Sequence, residues 1–429
     1  MLLVGFPALA LIVWQASGAQ RVEAMKAKIR ARGEPLSRQD FEAFYAVPKG
    51  REDVTSLWLA AFEGLSGETL DGSPGDFSMV GTGTYEIPRP GQPWPERAAA
   101  EAILAKYRAN AEGLHEAARR GGAARYPLPF EHMSLTLLFR MNSLSGGAKL
   151  LILESHVRAH QGRPHDVAES IRTLNRLAES LQNEPMHGSQ FARIDLGGMS
   201  ASLCCRMLSD VDFSDEDLQR LADDYRTIRY DDGLYRALLV ERALGISLFE
   251  NPALWSEFQQ ESDLPGIWLT YNDDLALYLD IMERYIAGSR KPYHQASQDF
   301  QAIASRIPSD QRWGVDRFRY LRTLLLRPLL ASHGPQTGRG NAQNEAATTA
   351  IAIERYRRRY GRVPERLGQL VPDFLTHLPI DPFDGTALRY VLQRDWYLLY
   401  SVGEDRVDNG GRGESEPDIV FAVRRRESR

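Results

Sequence analysis

Residues 147–181, GAKLLILESHVRAHQGRPHDVAESIRTLNRLAESL, set the class of the fold. Val167, Ile171, Leu174, Leu177 and Leu181 recur at spacings of three and four, which places them on one face of a helix. Gly147 to Gln161 reads as a second helix, and Gly162-Arg163-Pro164 separates the two. The pair is a helical hairpin, the unit that solenoid proteins stack. Outward from it the helical pattern continues over 98–330, with further helices near 188–208, 234–249, 273–288, 294–306 and 313–331. Ser214 followed by Asp217 resembles a capping box with Asp in place of Glu. No strict repeat of about 34 residues runs through the region. The expected class is mainly α: an irregular helical-hairpin array, TPR-like without the consensus.

The flanks differ. Residues 20–70 read as helix with short breaks, and 71–97 are rich in Gly and Pro, as in a long ordered loop. Residues 332–344, SHGPQTGRGNAQN, are small and polar and read as a linker. Leu2 to Trp14 is an uncharged apolar run. A membrane span needs about 20 such residues, so the segment 1–19 is short. As a signal peptide it would be cut before Gln20, after Ser17 and Ala19. As an anchor it would place Trp14 at the interface. Arg21, Lys26, Lys28, Arg30 and Arg32 follow the run and none precedes it, which by the positive-inside rule points the body inward. The expectation adopted is an anchor in a bacterial cell envelope with an extracytoplasmic body.

Beyond the linker the composition changes. Ala346 to Tyr360 is helical, Gly361 suits a C-terminal cap, and Pro379 with Asp381-Pro382-Phe383-Asp384-Gly385 makes turns. Leu388–Leu392, Trp396–Val402 and Asp418–Val423 have the Tyr, Val, Leu and Trp content of strands. The expected module, 345–429, is α+β, with one helix, about three antiparallel strands and a basic tail. Tyr360, Gly361, Pro364, Leu367, Leu370, Leu378, Pro379, Asp381, Pro382, Tyr397, Leu399, Ser401, Gly403, Asp405, Asp418 and Ile419 follow one another in an order that resembles the globular domain of type II secretion major pseudopilins. The rest resembles bacterial membrane-anchored helical proteins of no assigned function. The family's apolar helix adjoins its globular domain behind a prepilin-peptidase site. Here the apolar run lies far upstream, and Pro7 follows Gly5-Phe6. The resemblance implies a calcium ion in the loop before the last strand. Ser401, Asp405, Asp408 and Asp418 are the candidate ligands, assisted by Glu404 or Asn409. Calcium takes six to eight oxygens; a solvated turn is the plainer alternative.

The remaining chemistry is sparse. A net charge of −5 gives no global electrostatic reason to bind nucleic acid, whose recognition usually shows as a basic face. Cys204 and Cys205 are adjacent and read as small buried residues. His156 and His160 share a helix face, with His165 nearby, but HVRAH lacks the Glu of a zincin; exposed helix histidines are the commoner case. Arg355, Arg357, Arg358, Arg359 and Arg362 read as a solvated face at a helix C-terminus, or as a contact for anionic lipid or an acidic partner. No nucleophile elbow, phosphate loop, dinucleotide fingerprint or CxxC pair occurs. The functional expectation is a non-catalytic, membrane-anchored protein that binds a protein partner. The alternatives are a component of a type II secretion-like system, or an enzyme whose site is assembled in the helical domain.

Overall fold

The computed structural model describes residues 2–66, 87–128, 133–251, 270–306, 323, 333–394, 396–412 and 418–425. The chain is mainly helical and ends in a three-stranded antiparallel sheet. Of the Gly/Pro-rich loop expected over 71–97, residues 71–86 lie outside the described residues, and Ile87 to Glu96 is irregular. The helix expected over 313–331 also lies outside them, except for Thr323.

The chain divides into two compact units. The first comprises Met1–Ala46, Pro185–His187 and Asp231–Pro335. Its first helix, α1 (Leu2–Ala31), runs on without a break at residue 19. The reason lies in its second half, which packs as part of the unit. Val22 and Ile29 are buried, and a Cβ at Gly18 would stand 2.9 Å from Asn272 Cβ. Arg21 pairs with Asp273 at 2.9 Å and Lys26 with Glu250 at 2.6 Å. The basic residues after the apolar run therefore include partners of acids in the same unit. Among the described residues no helix is long and apolar enough to cross a membrane.

The second unit comprises Val47–Glu184, Gly188–Tyr230 and Gln336–Arg429. Its short helices α2 (Thr55–Ala61), α3 (Arg97–Lys106) and α4 (Arg108–Arg120) lead into the expected hairpin, α5 (Met133–His160) and α6 (Pro164–Glu179). Gly162 turns with φ +69°, and Pro164 sits in the first turn of α6, where no amide hydrogen is needed. Val167, Ile171, Leu174, Leu177 and Leu181 are all fully buried. Next come α7 (His187–Asp210) and α8 (Asp215–Thr227). Ser214 caps α8: its Oγ accepts from the Asp217 amide at 3.0 Å and donates to Asp217 Oδ2 at 2.7 Å.

Of the stretch read as a linker over 332–344, residues 333–344 are the first half of a long helix, α9 (His333–Tyr360). Its small residues serve close packing. A Cβ at Gly340 would lie 3.0 Å from both Ile194 Cγ2 and Tyr230 Cδ2. Ala342, Ala346, Ala347 and Ala350 are buried along the same helix. The C-terminal module is therefore no separate appendage; it shares a unit and a hydrophobic core with α5, α6, α7 and α8.

In that module, β1 (Arg389–Leu392), β2 (Trp396–Ser401) and β3 (Ile419–Arg424) form a meander in the order β1-β2-β3. The pairs Arg389↔Tyr400 and Tyr400↔Val420 fix the register. Tyr397, Leu399, Phe421 and Val423 are buried in the shared core, and Tyr397 Oη lies 3.3 Å from the Ala350 carbonyl of α9. The outer edge of β3 is covered by α7: Cys205 Sγ donates to the Ala422 carbonyl at 3.0 Å, and Ser209 Oγ accepts from the Arg424 amide at 3.1 Å. Cys204 is buried, and neither Cys204 nor Cys205 is in a disulfide.

Gly340→Val should destabilise the second unit by about 1–3 kcal/mol through overpacking. Gly368→Ala, where a Cβ meets nothing within 4 Å, is the control. Urea unfolding of both variants checks this; equal midpoints would remove the close-packing account of α9.

Candidate functional site

The turns around β2 gather the acidic residues of the module. The chain bends at Asp381, between Ile380 and Pro382, and buries that carboxylate completely. Asp381 Oδ1 accepts from the Phe383 amide at 3.0 Å and the Ser401 hydroxyl at 2.7 Å. Its Oδ2 accepts from the Val402 amide at 2.9 Å and from Arg389 Nη1 at 2.6 Å. Four donors satisfy both oxygens, which is what a buried carboxylate requires. Arg389 continues the network to Asp384 at 2.5 Å, and its Nε lies 3.8 Å from Asp408 Oδ2. Burial opposes the charge of Asp384, but the hydrogen bonds from Arg389 and Thr386 overcome it and hold the carboxyl below its usual range.

The four candidate calcium ligands are placed differently from one another. Ser401 is buried and spends its hydroxyl on Asp381. Asp405 is exposed and accepts from the Val407 amide at 3.0 Å. Asp408 Oδ1 accepts from Tyr400 Oη at 3.1 Å and from the Gly410 amide at 2.9 Å. Asp418 is buried; its Oδ2 accepts from the Gly411 amide at 2.8 Å, whereas its Oδ1 has no hydrogen-bond partner among the described residues. Burial, then the charges of Asp408 and Asp405, push the Asp418 carboxyl above its usual range against the pull of two backbone amides. Asp408 and Asp418 thus face one electrostatic problem together, with Asp405 near enough to add to it. Ser401 belongs to the Asp381 network. Among the described residues no three His, Cys, Asp or Glu side chains converge in a ready-made metal site.

Asp381 and Arg389 organise the site. The sequence marks Asp381 as a turn residue and as part of the resemblance, and its total burial becomes visible only when β2 and the turn are brought together.

The histidines go to separate partners. His156 is half-buried, and burial together with Arg206 and His160 pushes it down to about 3. His160 Nε2 donates to the Pro88 carbonyl at 2.8 Å and its ring lies 4.9 Å from Trp94. His165 Nδ1 lies 2.8 Å from Asp217. Only His165 fits an exposed helix histidine. A histidine the sequence did not single out, His115, lines a cavity of about 430 Å³ with Glu154, Arg158, Glu101 and Glu112. Its Nδ1 is 2.7 Å from Thr173 Oγ1 and its Nε2 is 2.7 Å from Glu154 Oε2, so both nitrogens are engaged within the fold.

No family model, curated protein or solved structure matches the chain.

Asp381→Ala should cost about 3–5 kcal/mol, because it leaves Arg389 and two amides without their buried acceptor. Asp405→Ala should stay within about 0.5 kcal/mol of wild type. Urea midpoints read by tryptophan fluorescence decide between this and a turn that merely tolerates an acid at 381.

Proposed function

We propose that the chain is a non-catalytic envelope protein in which a helical scaffold carries a pseudopilin-like module and contacts other proteins. The observation that carries this reading is the order of the module: a long helix ending at Tyr360, Gly361 with φ +71°, a short 3₁₀ turn at Leu367–Leu370, the Asp381 turn, and the antiparallel meander. That is the order the resemblance implies, and its motif residues Tyr397, Leu399, Asp381 and Ser401 fall at buried positions. The upstream apolar run of α1 would tether the protein to the membrane. Crosslinking in intact cells tests the contact role. Adducts to envelope proteins that disappear when β1–β3 are disrupted support it, and a full-length protein that yields no adduct opposes it. Protease access to the C-terminal module in intact against opened cells gives the side of the membrane.

Under the same reading, the loop between β2 and β3 takes a calcium ion. Asp418 Oδ1, buried and without a hydrogen-bond partner among the described residues, supports this, since a carboxylate raised by burial and by its acidic neighbours is the group a cation would relieve. Asp408 and Asp405, with loop carbonyls, would complete the set. The pH dependence has a definite sign. A raised carboxyl contributes stability below its unfolded value and loses it as pH rises through its folded value. Without calcium, Asp418→Asn should therefore be at least as stable as wild type at neutral pH, and its advantage should vanish in acid. With calcium at a hundredfold excess over Kd, wild type should gain about 2.7 kcal/mol and Asp418→Asn should not. Thermal melts in calcium and in chelator read this directly; identical melts for wild type would eliminate calcium.

A further inference from the structure

The arginines at the end of α9, read from the sequence as a solvated face, surround one exposed oxygen. Arg357 Nη2 lies 3.0 Å from Asp212 Oδ1, Arg358 Nη1 at 3.4 Å and Arg425 Nη1 at 3.4 Å. The Asp212 side chain is 68% exposed, in the short connection between α7 and α8. Three guanidinium groups from two chain segments therefore point at a single position at the surface.

Two of the three are fixed from behind. Glu354 is fully buried. Its Oε2 lies 2.8 Å from Arg357 Nε and 3.0 Å from Arg425 Nε, and its Oε1 accepts from Tyr397 Oη at 3.1 Å. Arg425 Nη2 also donates to the Val211 carbonyl at 3.2 Å. Swinging either guanidinium outward would leave a buried carboxylate short of charge, which is costly. Arg357 is thus held by a hydrogen bond, and Arg425 by charge and by the Val211 carbonyl, before any ligand arrives, and the ordering cost of binding is reduced.

The charges do not balance. Arg357, Arg358 and Arg425 supply three positive charges, and Glu354 and Asp212 supply two negative ones. Arg355 does not alter the count, because it pairs with Asp215 at 3.0 Å. One positive charge remains beside an exposed carboxylate whose own ion pairs, being wet, hold it weakly. Burial works against the charge of Asp212, yet the Arg357 hydrogen bond and the three guanidiniums keep its carboxyl below the usual range. The position favours a negative oxygen. Convergent guanidinium forks on one oxyanion are how proteins hold phosphate groups.

We infer that Arg357, Arg358 and Arg425 form a phosphate-binding site, with Asp212 Oδ1 marking the place of a phosphate oxygen and acting as the chain's own competing occupant. Arg358 is a ligand free of the Glu354 network. Glu354 is a positioning residue that aims the other two. The phosphate belongs to a small soluble molecule or to a lipid headgroup.

The test uses the full chain. Inorganic phosphate is titrated calorimetrically into wild type, Asp212→Asn and Arg358→Gln, and each protein is co-sedimented with phosphatidylglycerol vesicles. Asp212→Asn keeps the shape and removes the competing charge, so phosphate should bind it about tenfold more tightly than wild type. Arg358→Gln should lose binding by at least about tenfold while keeping the wild-type urea midpoint. Arg358→Lys, which keeps the charge but not the fork, should fall between. Vesicle binding lost in Arg358→Gln assigns the phosphate to a headgroup, and binding of free phosphate alone assigns it to a soluble ligand. Absence of binding by both wild type and Asp212→Asn in both arms overturns the inference, as does binding that Arg358→Gln leaves unchanged.

Discussion

The second unit depends on how closely α9 approaches its neighbours. Tyr230 is nearly fully buried and fits where two glycines leave room for it. A Cβ at Gly197 of α7 would stand 1.8 Å from the Tyr230 hydroxyl oxygen, and a Cβ at Gly340 of α9 would stand 3.0 Å from Tyr230 Cδ2. The ring also lies 5.1 Å from the guanidinium of Arg193, itself fully buried and held by two hydrogen bonds to Glu179. A larger residue at either glycine would have to move an aromatic ring that is packed on every side, and interiors this dense do not yield without cost. With α9 held at that distance, its next alanine face, Ala346, Ala347 and Ala350, falls into the same core as Leu174 and Leu177.

The C-terminal half of α9 depends on that seating. Once Ala350 is in the core, Glu354 comes one turn later and is buried as well. A buried carboxylate needs partners, and it takes them from the sheet (Tyr397), from its own helix (Arg357) and from the residue just after β3 (Arg425). The segment just after β3 is thus tied to the helix that began the module. The sheet gains no free second edge, because Cys205 and Ser209 of α7 already meet β3. Burial of one acid accounts for the direction of two guanidiniums, and it explains why an arginine run that composition alone assigns to solvent is directed at a defined point.

Much of the helical architecture could be read from the sequence because it rests on local period. The α6 face, the Gly162 turn and the Ser214 cap each need only a few consecutive residues to be visible, and each occurs where expected. The strands also lie within about one residue of their expected bounds, which is the usual uncertainty of element ends. The stretch 332–344 shows the opposite case. Gly, Ala, Ser and Asn suit a linker and suit a helix pressed against a tyrosine equally well, and only the partner, more than a hundred residues earlier, distinguishes them. The same holds for the calcium candidates. Asp405, Asp408 and Asp418 look equivalent as turn residues, yet burial separates Asp418 from the others, and the buried acid that organises the turns, Asp381, looks locally like any Asp before Pro.

That separation also limits where a cation in the module would sit. Arg389 already serves Asp381 and Asp384 and reaches toward Asp408, so the β1 side of the loop carries its own positive charge. A metal placed there would meet a guanidinium before it met three free carboxylate oxygens. On the other side, Gly411 covers Leu398 and Tyr400 so closely that a Cβ would stand 2.3 Å from Leu398 Cδ2, and its amide is the one that meets Asp418 Oδ2. The remaining oxygen, Asp418 Oδ1, is the buried carboxylate oxygen of the loop that has no hydrogen-bond partner among the described residues. Coordination would therefore begin at Asp418 and recruit Asp408 away from Tyr400, whose hydroxyl is pushed up to about 12 by burial and by that same carboxylate. Losing the Asp408 hydrogen bond would remove one of the causes that raise the tyrosine, so calcium binding and the ionisation of Tyr400 would be linked.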